Sequence, residues 1–158
     1  VTATIKDHGW QAFKARAKSL QGKEVAIGIL GESAQETDGS DFRLVDVAVV
    51  NEFGSKDGHI PERPAHRETY ETNKANVKQQ ASKAAAAIMM GHLLEQQGLN
   101  RLGLWYTGVL KQGIIGWHEP PNAPSTIAKK GADNPLIDTG RMVNSIQHEV
   151  RKAGSDAG

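Results

Sequence analysis

The sequence predicts an α+β fold, and three observations carry that reading. Val25-Ala26-Ile27-Gly28-Ile29-Leu30 is an apolar, β-branched run between Gly22 and Gly31, the pattern of a strand. Gln147 to Lys152 alternates in character and predicts a second, final strand. Between them, Tyr70, Val77, Ala81, Ala84, Ile88 and Met89 recur on a period near 3.6, which predicts one long helix.

The other elements follow in chain order. Trp10, Phe13, Ala17 and Leu20 have the three-and-four spacing of a short amphipathic helix, ended by Gln21-Gly22. Glu32 to Asp41 is polar and predicts a flexible loop or hairpin tip. Leu44 to Phe53 is rich in β-branched residues, which pulls toward strand. Its apolar spacing and the stop at Gly54 favour a helix. Ser55 to Pro64 is a loop stiffened by Pro61 and Pro64. The long helix starts near Ala65 and runs toward Gly98, with a break at Gly91.

Leu99 to Trp117 is a second apolar helix-like segment. Glycines 98, 103, 108, 113 and 116 interrupt it, so it reads as loose. Glu119 to Pro124 is a loop, and Ser125 to Gly131 forms one or two helical turns. Asp138 or Thr139 caps a short helix through Ile146. Residues 1–152 form a single α+β domain, and 153–158 form a mobile tail.

Composition narrows the function classes. The 158 residues fit one domain, with 38% hydrophobic and 5% aromatic content. A net charge of +1 gives no overall pull toward nucleic acid or an anionic membrane. The chain has no cysteine, which removes disulfides, thiolate nucleophiles and cysteine zinc sites. Val1 to Asp7 lacks the apolar core of a signal peptide, and the longest apolar run, Ala84 to Met90, is too short to span a bilayer. The expected product is soluble, without membrane contact, and is made in the cytoplasm.

No catalytic or ligand-binding motif stands out. Six histidines form neither HxH nor HExxH, and His59 with His66 and Asp57 reads as a solvated loop. Ser125 or Ser145, His118 and Asp138 supply triad residue types without a GxSxG elbow. Gly28 to Ser33 lacks the lysine and glycine spacing of a phosphate loop. Lys129-Lys130, Arg141 and Arg151-Lys152 are compatible with DNA contact, but a solvated surface explains them as well. The expectation is a non-enzymatic chain with no catalytic residue, no metal and no cofactor.

Two loop-to-helix junctions are more informative. Ile60-Pro61-Glu62-Arg63-Pro64 and Pro135-Leu136-Ile137-Asp138-Thr139-Gly140-Arg141 combine rigid prolines with arginine. Such loops suit protein–protein registry as readily as ordinary helix starts.

These stretches also carry a resemblance. Asn51-Glu52-Phe53-Gly54 followed by Ile60-Pro61-Glu62-Arg63-Pro64-Ala65-His66-Arg67 resembles the "NEFG…IPxRPFxR" pattern of tailed-phage tail-completion and virion-morphogenesis proteins. Ala123-Pro124-Ser125-Thr126-Ile127-Ala128-Lys129-Lys130-Gly131 and Pro135 to Ile146 resemble the "APSTxxxKG…PLxDTGxLxxSI" of the same family. The four stretches come in the same order, within a likeness running from about Val25 to Val150. Ala65-His66 departs from the family's apolar continuation, and Met142 stands where leucine is common.

The resemblance implies a tail-terminator-like fold, a small, mostly antiparallel sheet packed against one long helix and several short ones. It implies a neck subunit of the virion, assembled in the host cytoplasm. Such subunits form a homo-oligomeric ring, usually hexameric, that joins tail to head. Implied partners are head-completion or connector proteins and tail-terminator or tail-tube proteins, with DNA met only in the channel. Arg63, Arg67, Asp138, Thr139 and Arg141 are the expected interface residues. The alternatives are a DNA-binding phage protein, a tail terminator or a minor tail protein.

Overall fold

The structure is a computed structural model that describes residues 7–37 and 41–155. Residues 38–40 of the predicted polar loop and 156–158 of the predicted tail lie outside the described residues. The chain runs α1 (Trp10–Ser19), β1 (Lys23–Ile29), a 3-10 turn (Gly31–Gln35), α2 (Leu44–Phe53), α3 (Ala65–Met89), α4 (Glu95–Ile115), α5 (Pro124–Lys130), α6 (Arg141–Asn144) and β2 (Ile146–Lys152). The α+β expectation holds: helices dominate and one two-stranded antiparallel sheet joins the two predicted strands.

Register explains the layering. Lys23 pairs with Lys152 and Ile29 with Ile146, so Val25, Ile27 and Ile29 share a face with Val150, His148 and Ile146. That largely apolar face lies on α4, which also packs along α3. The opposite face carries Glu24, Ala26 and Gly28 with Gln147, Glu149 and Arg151, and Arg151 Nε donates to Glu24 Oε1 at 2.7 Å. The order of layers is therefore sheet, α4, α3. The core gathers Leu44, Ala65, Leu110, Ile114, Leu136, Met142, Val143 and Ile146, with Ile27, Ile29 and Val47 packed against it.

The glycines of α4 do not loosen it. A Cβ at Gly98 would stand 2.5 Å from Ile88 Cδ1 of α3. One at Gly103 would strike the His148 ring of β2, and one at Gly113 would strike Thr69 of α3. These glycines let the central helix touch both neighbours at backbone distance, which offsets their poor helix propensity. Gly108 differs, because a Cβ there meets only open space.

Three predicted boundaries change. The long helix ends at Met89 rather than near Gly98. Gly91, at φ +80°, turns the chain, and His92 and Leu93 N–H both return to Ala87 O. The next helix then starts at Glu95, where Leu94 N–H donates to Gln97 Oε1 at 3.4 Å. At the third boundary, Asp138 and Thr139 do not cap a helix through Ile146. Gly140 takes the left-handed conformation before a four-residue helix, and Thr139 Oγ1 only accepts from Arg141 N at 3.4 Å.

The first helix forms as predicted but buries little. None of its residues is buried, and Trp10 is 60% exposed, stacked on Phe13 at 5.5 Å. Arg16 Nε tethers it to Met89 O at 2.8 Å. No helix among the described residues is long and apolar enough to cross a membrane.

Candidate assembly site

The site grows from the end of α2. Glu52 is 9% exposed, and its carboxylate reaches the first turn of α3. Oε2 accepts His66 N–H and Oε1 accepts Arg67 N–H, both at 3.0 Å, and His66 Nδ1 lies 3.3 Å from Oε2. Pro64 precedes α3 and has no side-chain acceptor for its free amides. A carboxylate from another helix does that work, at the end where the helix dipole favours negative charge.

The loop between α2 and α3 is bound back on itself. Gly54 sits at φ +73°, where a Cβ would stand 3.1 Å from Ile60 O and Glu62 N. Ser55 N donates to Ile60 O at 2.9 Å, and Arg63 N donates to Asn51 O at 2.7 Å. This sets Arg63, 6% exposed, against the segment after α4. Its Nε donates to Pro120 O at 2.9 Å and its Nη2 to Pro121 O at 3.1 Å. Burial pulls the guanidinium below its ordinary pKa, the nearby charge of Asp133 opposes that, and the group stays protonated.

The second junction is tied down by Asn134. Its Nδ2 donates to Ile115 O at 2.8 Å and its Oδ1 accepts Leu136 N at 3.3 Å. Leu136 thereby enters the core. Asp133 Oδ1 accepts Asn122 N at 3.1 Å, and Lys130 Nζ donates to Asn134 O at 2.5 Å.

The predicted interface residues divide into three groups. Arg63 is committed inside the chain. Arg67 lies exposed on α3 and pairs with Glu62, which raises the pKa of the guanidinium. Asp138, Thr139 and Arg141 come together at a cleft of about 100 Å³ that also includes Asn51 and Leu44. All three are exposed, and Arg141 Nη1 donates to Thr37 O at 3.1 Å. Sequence reasoning named Glu52 within a motif but missed its capping role. A lone acid one loop before a Pro-X-X-Arg helix start was the available signal.

The remaining chemistry is dispersed. Ser145 Oγ donates to Met142 O at 2.8 Å, while Ser125 and His118 are exposed on other segments. Among the described residues, no group of three or more His, Asp or Glu could hold a metal ion. No protein-family model, curated protein or solved structure matches the chain.

Proposed function

We propose that this chain is a structural virion protein of a tailed phage: a neck or tail-completion subunit that forms a ring joining tail to head around the DNA channel. One observation supports the reading most. The four stretches that carry the family resemblance fall in two pairs that are far apart in sequence but pack together. Asn51 and Glu52 bind the Arg63–Arg67 segment, and Arg63 grips the loop leading to Ala123. Asn51 then shares a cleft with Pro135 to Met142. A motif set whose members hold one another supports reading the resemblance as one of the whole domain, and it fits an assembly subunit.

Arg141 is exposed beside Asp138 and Thr139, at the surface where this body would meet a partner. Arg141→Glu should leave a folded chain and block head–tail joining in a phage that depends on it. Normal particles from that variant would sink the assignment.

A DNA-binding reading rests on a different observation. Residues 8–23 carry Lys14, Arg16, Lys18 and Lys23 and no acid, and residues 72–94 carry Lys74, Lys78 and Lys83 and no acid. Arg16 joins the two segments at Met89. This reading requires duplex binding by the isolated chain that weakens steeply with salt. The ring reading requires little such binding.

A further inference from the structure

We infer that a hollow between α3 and α4, beside the turn at 90–94, seats one large apolar side chain of a partner protein, with carboxylates of that partner flanking it. The hollow follows from the alanine run of α3. Ala84 and Ala87 are three residues apart and line it, where longer side chains would fill it. Leu102 and Trp105 line it from α4, and Leu93 lines it from the turn between the helices. Gly98 belongs to the lining too, and its lack of a side chain lets α4 meet Ile88 of α3 closely at that point.

Its size selects the occupant. The hollow measures about 190 Å³. Pockets for drug-sized ligands run ~300–1,000 Å³, so this one suits a single side chain. In the same turn as Leu93, Met90 is 63% and Leu94 70% exposed, and they extend the apolar surface that a protein partner would cover.

Its charge selects the flanks. Lys83 of α3 and Arg101 of α4 both line the hollow and both are exposed, and no acid lines it. No acid lies within four residues of either cation in sequence, and neither forms an ion pair among the described residues. Glu95, the one acid of α4, is held by Lys23 at 3.4 Å. More widely, residues 72–118 carry Lys74, Lys78, Lys83, Arg101 and Lys111 against Glu95 alone, in a chain whose net charge is +1. A surplus of that sign draws carboxylate or phosphate.

The apolar lining decides between the two. A duplex phosphate backbone would engage the cations and leave the hollow empty. A bilayer surface has no single protruding side chain to fill it. A protein interface joins an apolar anchor seated in a pocket to a charged rim, which is the pairing found here. The partner segment is therefore acidic, with a leucine or phenylalanine among its carboxylates. The inference rests on the assembly reading only for the place of that partner in the virion.

The test titrates the full chain into a fluorescently labelled peptide, one leucine between two runs of glutamate, and reads anisotropy. The peptide should bind. Its counterpart with alanine in place of leucine should bind about tenfold more weakly, because most of the buried side chain is gone. Lys83→Glu and Arg101→Glu should each weaken the leucine peptide by about tenfold or more. Both residues are exposed, so both variants should keep the wild-type circular dichroism, and Arg101→Gln replaces Arg101→Glu if the latter does not fold. No binding of the leucine peptide, equal binding of the two peptides, or binding untouched by the variants would overturn the inference. A short DNA duplex or phosphatidylglycerol vesicles that bind more tightly than the peptide, and lose that binding in Arg101→Glu, would overturn it as well. The peptides decide this pocket and leave the neck reading to particle experiments, so the two fail separately.

Discussion

The two ends of α3 are held in different ways. At the N-terminal end, a buried carboxylate caps the first turn and a buried guanidinium clamps the preceding loop to the segment after α4. At the C-terminal end, α1 rests on the helix with no buried residue of its own and a tether from Arg16 to Met89 O. Polar groups withdrawn from water must be fully partnered, so the first end admits one arrangement only. The second end buries its groups only in part and should tolerate change.

Substitutions should separate the two ends. The largest effect is expected from Gly113→Leu, which drives a side chain into Thr69 near the N-terminal end. A loss of about 3 kcal/mol, or failure to fold, is expected in urea unfolding. Arg63→Met should cost about 2 kcal/mol, because the Pro120 and Pro121 carbonyls lose their charged donor. Glu52→Gln keeps a hydrogen-bond acceptor but removes the charge at the helix start, and should cost about 1 kcal/mol. At the far end, Arg16→Ala should cost about 0.5 kcal/mol or less. If Arg16→Ala proved as damaging as Arg63→Met, the contrast between the ends would be wrong.

The smallest effect concerns pH. The hydrogen bond from Arg151 holds the Glu24 carboxyl below its ordinary value of 4.5. A depressed folded pKa gives stability that is fully present above the ordinary value. That stability is lost as the pH falls through the folded value. Glu24→Gln should therefore lower stability slightly at neutral pH, match the wild type at low pH and so flatten the acid limb of a stability profile. An unchanged acid limb would show that the pair contributes nothing.

Much of this fold was legible in the residues, for local reasons. The apolar run from Val25 and the alternation from Gln147 mark the strands, and Gly54 and Gly131 mark real helix ends. The break at Gly91 was legible, but the start of α4 at Glu95 was less so, because Glu95, Gln96 and Gln97 are polar and extend the helix ahead of the apolar run. The glycines of α4 misled, since a sequence shows the weak propensity of glycine but not the neighbouring helix that needs it. Trp10 has core spacing yet stays 60% exposed, and Phe13 is only half-buried, because little folds over α1 among the described residues. Within the site, the prolines and arginines were visible. That Arg63 turns inward while Arg141 turns outward depends on contacts between residues some 57 positions apart. No local pattern encodes such a pairing.

The central claim is that this chain sits between head and tail. Labelling assembled particles on this chain and imaging them by electron microscopy tests it directly. The account predicts label confined to the head–tail junction, in a ring around the channel axis. Label on the capsid or along the tail, or particles that carry none of the chain, would contradict it.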